Sequence, residues 1–175
     1  MKLEYGKIKG IEGFVFILRD EQKIEAVYPF MCDKINYGFA LSYLREKGIK
    51  LSPKKADFSW LGGVLRGSAK LCFEVLNLDS ASMFKKKIYK KLFLTKTGSI
   101  LTYAALSTNA ARAVGSAMKN NTFPLLIPCH RVSAKSGKES YSISCYCKKP
   151  SACRQKDLSV CSKRIKKMIR DYETA

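Results

Sequence analysis

Alternation and helical spacing divide the chain into a strand-rich start and a helix-rich remainder. Phe14-Val15-Phe16-Ile17-Leu18, the polar Arg19-Asp20-Glu21-Gln22 and then Ile24 to Tyr28 predict a β-hairpin. Phe39 to Lys47 carries Leu41 and Leu44 with aromatic neighbours and predicts a helix, and Lys70 to Leu76 a further strand. Ser52-Pro53-Lys54-Lys55 and Gly62-Gly63 read as breaks. After the Asn77-Leu78-Asp79-Ser80 linker, Ser80 or Ser82 offers an N-cap, and Phe84, Ile88 and Leu92 form an apolar stripe at i, i+4, i+8. Lys96-Thr97-Gly98-Ser99 makes a turn, and Ile100 to Leu106 is a short amphipathic segment. Ser107-Thr108-Asn109 caps a second helix, Ala110 to Asn120, with Val114, Ala117 and Met118 inward and Arg112, Ser116 and Lys119 outward. Phe123 to Ile127 predicts a buried strand, and Lys163 to Glu173 a closing helix. The fold class expected is α/β: residues 1–78 as a small supporting domain, and 79–175 as a mainly helical one.

Charge sharpens the second half. The 175 residues carry 33 Lys+Arg against 14 Asp+Glu, a formal net charge of +19, which favours a polyanionic partner. From Ser80 to Lys138 there is no Asp or Glu, although eleven Lys and Arg residues fall there. Exposed protein faces normally mix both signs, so a segment of this kind reads as a footprint for phosphates. Two short helices joined by a tight turn within it suggest a helix-turn-helix. Ala110, Ala111, Ala113, Gly115, Ser116 and Ala117 reduce the bulk of the second helix, so its backbone can approach another surface. No apolar run approaches the roughly 20 residues that span a bilayer, and the N-terminus has no signal-peptide shape. A cytoplasmic or DNA-associated, intracellular location is expected, with reduced thiols.

The chemistry converges on Leu125-Leu126-Ile127-Pro128-Cys129-His130-Arg131-Val132. A thiol is nucleophilic as thiolate, and neighbouring cations favour that form. His130 is the sole histidine, so any imidazole chemistry happens here. Cys32 and Cys72 are isolated and read as core or partly exposed thiols. Cys145, Cys147, Cys153 and Cys161, spaced C-x-C, x5, x7, would suit a structural metal, a disulfide or free thiols in a lysine-rich insert. A cysteine hydrolase or thiol oxidoreductase is disfavoured, because no second histidine and no C-x-x-C partner accompany Cys129.

These residues resemble the 6-O-alkylguanine-DNA alkyltransferases (methylated-DNA–protein-cysteine methyltransferases). The likeness runs from about Ser82 to Ser142, through Thr102-Tyr103-Ala104-Ala105-Leu106, Ala111-Arg112-Ala113-Val114-Gly115-Ser116-Ala117-Met118, Asn121, Ile127-Pro128-Cys129-His130-Arg131-Val132 and Tyr141-Ser142. The resemblance implies minor-groove binding of double-stranded DNA containing 6-O-alkylguanine and extrusion of the damaged base. Irreversible alkyl transfer to Cys129 would follow, by a monomer that needs no cofactor and no metal. It implies that His130, oriented by a carboxylate, takes the thiol proton through a water, and Glu173 is the carboxylate expected. Asn121 would brace the active-site turn. Tyr103, Ala111, Arg112, Gly115, Ser116 and Arg131 would contact DNA, with Arg112 filling the gap left by the base. Met118, Pro124, Val132, Tyr141 and Ser142 would line the pocket, with Tyr141 donating to the leaving guanine. Three features depart from the family pattern, the largest being Cys145 to Cys161, which intervenes before the closing helix. Tyr103 and Arg112 stand closer together, and Glu139-Ser140-Tyr141-Ser142-Ile143-Ser144 replaces a glycine-bearing loop. An alkyltransferase-like lesion binder with weak or no transfer is the alternative reading.

Overall fold

The computed structural model describes residues 1–31, 37–136 and 155–175, with side chains of the last segment described from residue 164. Its first unit is a four-stranded sheet in the order β3-β2-β1-β4, built from β1 (Lys2–Gly6), β2 (Phe14–Arg19), β3 (Ile24–Phe30) and β4 (Lys54–Lys55). β1, β2 and β3 pair antiparallel, whereas β4 runs parallel to β1. The expected hairpin is present because Asp20 organises its turn: one carboxylate oxygen accepts from the amides of Gln22 (2.7 Å) and Lys23 (2.6 Å). Val15, Phe16 and Ile17 are all buried, so the middle of β2 is covered on both faces. Helix α1 (Tyr37–Glu46) turns Ala40 and Leu44 into the core.

Residues 59–66 correct the sequence reading. Gly62 and Gly63, expected as a break, lie inside helix α2 (Ser59–Arg66). Asp57 starts this helix by accepting from the Ser59 amide (2.9 Å) and hydroxyl (2.7 Å), and Gly67 ends it in the left-handed region at φ 73°. Each helical glycine costs about 1 kcal/mol relative to alanine. Close neighbours account for keeping both: a Cβ on Gly63 would lie 3.0 Å from Ala69 Cβ, and one on Gly62 2.7 Å from the Tyr172 hydroxyl. The strand expected over residues 70–76 is instead a chain with one 3-10 turn at Phe73–Val75. Its end meets the sheet, where Leu76 bridges to Ile24 and the Asn77 amide donates to Ile24 O (2.8 Å).

Ser82 caps α3 (Met83–Phe93) by accepting from the Lys85 amide. Ile88 and Leu92 are buried as the stripe predicts, and so is Tyr89, which lies outside that stripe. The segment 100–106 splits into β5 (Leu101–Thr102) and the single-turn helix α4 (Tyr103–Leu106), followed by α5 (Ala111–Lys119). β5 pairs parallel with β6 (Val132–Ser133), and α6 (Gln155–Thr174) closes the fold, starting earlier than expected.

Residues 123–127 also differ from expectation: they are buried but form a turn, not a strand. Ile127 N donates to Phe123 O (2.8 Å), and Leu125 takes φ 78°, a conformation that costs a branched side chain about 1–2 kcal/mol. Thr122 O accepts from the Val27 amide (2.8 Å), tying this turn to β3. A single hydrophobic cluster runs from the sheet through α3 and α5 to Ile165 and Ile169 of α6. Among the described residues, no helix is long and apolar enough to cross a membrane.

Candidate active site and candidate DNA interface

Cys129, His130 and Arg131 form one 3-10 turn directly after Pro128, with all three side chains buried. Asn121 holds the chain that delivers them. Its amide nitrogen donates to Ile127 O (3.1 Å) and its oxygen accepts from the Phe123 amide (2.9 Å), spanning the strained Leu125 turn. The Cys129 amide donates to Ile127 O (2.7 Å), so the cysteine backbone is fixed by the same carbonyl. The Cys129 side chain is 2 % exposed.

α6 brings Glu173 against this turn. His130 Nε2 lies 2.6 Å from Glu173 Oε1, and both side chains are wholly buried. Burial raises the Glu173 pKa, but hydrogen bonds from His130 and Arg131 and their positive charge outweigh it and hold the carboxyl down at about 2. An ionised carboxylate only accepts, so Nε2 carries the proton and Nδ1 presents a lone pair. His130 Nδ1 is buried and has no hydrogen-bond partner among the described residues. Burial depresses the His130 pKa, helped by the charges of Arg131 and Arg170, while Glu173 opposes the shift. The resting imidazole is therefore neutral, as a proton acceptor must be. Arg170 Nη1 also donates to the His130 carbonyl (3.2 Å), pinning the residue's backbone to α6.

Arg131 requires a correction. Expected at the DNA surface, it is 5 % exposed and turned inward. Its Nη2 donates to Glu173 Oε1 (2.7 Å), its Nε lies 3.1 Å from both carboxylate oxygens, and Nη1 donates to Thr95 O (2.6 Å). A buried carboxylate needs a charged partner, and Arg131 supplies it. Sequence reasoning also missed Tyr89, whose hydroxyl donates to Ala117 O (3.0 Å). Burial, and secondarily the proximity of Cys129, raise its pKa. The Gly98 amide, 3.4 Å from Glu173 Oε2, was missed too. No local signal marks the burial of Arg131; only the need of a carboxylate from the chain's end for a charged partner, if it enters a core, points to it.

α5 presents the other expected residues. Val114, Ala117 and Met118 are buried, while Ala111, Arg112, Ala113, Ser116 and Lys119 are exposed and Gly115 is half-buried. The cap is Ala110 rather than the expected Ser107-Thr108-Asn109, and it makes no side-chain capping hydrogen bond to the first amides of the helix. An uncovered helix N-terminus favours phosphate oxygens. Lys85 and Lys91 instead serve the fold, donating to Asn120 O (3.0 Å) and Leu106 O (3.0 Å) at the ends of α5 and α4. Tyr103 is 9 % exposed, its ring 3.9 Å from the position a Gly115 Cβ would take. Pro124, Met118 and Val132 are buried near or within the acceptor region's own elements. Tyr141 and Ser142 lie outside the described residues, as do Cys145, Cys147, Cys153, the Cys161 side chain and Cys32. Cys72 is exposed, with its thiol 2.7 Å from Glu74 Oε2.

Comparison with known proteins places this geometry. Residues 83–158 match the family profile described as 6-O-methylguanine DNA methyltransferase, DNA binding domain. The methylated-DNA–protein-cysteine methyltransferase of Thermococcus barophilus is 34% identical over 157 residues, covering 81% of this chain and 88% of that protein. The human protein of the same name is 48% identical over 61 residues, 32% of this chain and 30% of its own. Among solved structures, the O6-methylguanine-DNA methyltransferase of Pyrococcus kodakaraensis superposes with a TM-score of 0.65 at 23% identity, covering 99% of each chain. A Mycobacterium tuberculosis relative solved in complex with DNA gives 0.55 at 20% identity, over 81% of this chain and 83% of its own. On the identity and coverage of its relatives, this chain belongs to the methylated-DNA–protein-cysteine methyltransferase family.

Proposed function

We propose that the protein repairs DNA by direct reversal, moving the alkyl group of a 6-O-alkylguanine irreversibly onto Cys129. The observation that carries this reading is the buried order Cys129, His130, Glu173, in which an ionised carboxylate fixes the tautomer of a neutral imidazole beside the only thiol in the turn. The thiol proton passes to His130 Nδ1, directly or through one water, and the imidazolium formed is stabilised by Glu173. The thiolate then attacks the alkyl carbon, a C–S bond forms, and the C–O bond breaks with its electrons going to guanine O6. The base takes up a proton, for which Tyr141 is the donor we assign, and leaves as guanine. Nothing regenerates the thioether, so each molecule acts once.

The substrate reaches a buried thiol only if the guanine leaves the duplex, which costs roughly a few kcal/mol. Arg112, exposed on the small-residue face of α5, is assigned to occupy the vacated space. Ala111, Gly115 and Ser116 let the helix approach the groove, and Tyr103 contributes from beneath that face. Met118, Pro124, Val132 and Ser142 are assigned to the pocket wall, and Asn121 to the brace beneath it. We assign residues 1–78 to support and 79–175 to DNA binding and alkyl acceptance, acting as a monomer.

The test is intact mass followed by peptide mapping after incubation with a duplex bearing one 6-O-methylguanine. One methyl group per molecule on Cys129, absent from Cys129→Ala although that variant binds DNA nearly as well, is the expected result. Tight lesion binding with no mass change would instead identify a sensor that does not transfer.

A further inference from the structure

Tyr172 immediately precedes Glu173 on α6, and it is gripped by the N-terminal part of the chain. Arg66, the last residue of α2, donates from Nη1 to the Tyr172 hydroxyl and lays its guanidinium carbon 4.9 Å from the ring centroid. The ring edge crosses Gly10, where a Cβ would lie 3.1 Å from Cε2, and the hydroxyl sits over Gly62, where a Cβ would lie 2.7 Å away. Gly62 belongs to a helix that tolerates glycine poorly, and a Cβ there would meet both the Tyr172 hydroxyl and Ile8 Cγ2 (3.2 Å).

Consecutive helical residues are about 100° apart, so a clamp on one fixes the rotation of the next. A rotation of about 20° would swing a side-chain end, some 6 Å from the axis, by about 2 Å. That is enough to break the 2.6 Å contact between Glu173 and His130.

We propose that Gly62 and Arg66 are positioning residues for alkyl transfer, acting through Tyr172 to set the rotation of α6 that keeps Glu173 on His130. This inference rests on the proton relay proposed above. The N-terminal unit thereby adjusts the acceptor's reactivity through α6.

The test compares single-turnover methyl transfer from a 6-O-methylguanine duplex across pH for the wild type, Gly62→Ala, Tyr172→Ala, Tyr172→Phe and the Gly62→Ala/Tyr172→Ala double variant. Affinity for undamaged duplex and the unfolding midpoint are measured alongside. Gly62→Ala and Tyr172→Ala are each expected to slow transfer about tenfold, with DNA affinity unchanged and the acid limb of the rate profile displaced to lower pH, because His130 loses the carboxylate that raises its pKa. The double variant is expected to be no slower than either single one. Tyr172→Phe, which keeps the ring and removes the acceptor for Arg66, is expected to slow transfer about threefold with the same displacement; it carries the test if Gly62→Ala does not fold. A lowered unfolding midpoint with an unmoved pH profile, or single effects that multiply in the double variant, would overturn the inference. Glu173→Gln separates the two levels. If it transfers at the wild-type rate, the relay fails and the positioning role fails with it. If it is slow while Gly62→Ala and Tyr172→Phe match the wild type, only the positioning role fails.

Discussion

Arg112 and Arg131 carry the same charge within the same acid-free stretch, and they end in opposite environments. Arg112 stands exposed on α5, whereas Arg131 is buried with its guanidinium spread over Glu173. Around Arg131, geometry is over-determined: Glu173 is held by His130, Arg131 and the Gly98 amide, and the turn beneath is held by Asn121. Around Arg112, the helix is small-sided and its first amides lack a side-chain cap. The contrast suits the two tasks proposed for them. A proton relay needs fixed distances in a dry site, while a groove-binding face keeps its donors and charges available for phosphates.

The largest expected effect comes from emptying the buried side. Arg131→Ala leaves the Glu173 carboxylate buried with only His130 and a long amide contact beside it. Loss of one partner of a buried pair costs about 3–5 kcal/mol, so the midpoint of denaturant unfolding should fall steeply. Arg112→Ala should leave that midpoint within about 0.5 kcal/mol of the wild type. Equal stability of the two variants would remove the distinction between the arginines.

pH tests the same side through proton linkage. Glu173 is held at about 2 in the fold against an ordinary 4.5, so the unfolded chain binds the proton first. Its contribution is complete above pH 4.5 and is lost as pH falls from there through 2, amounting to about 3 kcal/mol. His130 adds in the same direction, since its folded pKa is depressed below 6.5: acid below that value favours the unfolded, protonated form. Thermal unfolding of the wild type should therefore weaken below about pH 6.5 and more steeply below 4.5. Glu173→Gln should lack the steeper step, and parallel curves for the two proteins would contradict the linkage.

The difference between the two regions also marks what the sequence made legible. The outward face of α5 follows from period and charge, because an exposed helix obeys its local pattern. Cys129, His130 and Glu173 were singled out because the resemblance includes the first two, and because few carboxylates remain at the chain's end and Lys166 to Glu173 matches the family's helix end best. Arg131 was misassigned because a cation beside a nucleophile in a basic segment gives no local sign of burial; that depends on α6 returning from far along the chain. The same holds for Gly62-Gly63, which read as a break until Tyr172 closes over Gly62 and Ala69 over Gly63. Leu125-Leu126-Ile127 read as a strand because apolar runs do not reveal a left-handed turn, which Asn121 and the buried surroundings impose.

The smallest of these effects, and the most specific, belongs to the exposed side. If Arg112 occupies the space of the extruded base, its removal raises the cost of extrusion without touching the relay. Arg112→Ala should slow transfer from duplex DNA about tenfold, equivalent to about 1.4 kcal/mol in the barrier. Reaction with a free 6-O-alkylguanine base, which needs no extrusion, should proceed at nearly the wild-type rate. Glu173→Gln should slow both substrates alike, since the thiol proton must leave in either case. Equal slowing of duplex and free base by Arg112→Ala would place that arginine with Arg131, as part of the acceptor's own framework rather than of the helix proposed to face DNA.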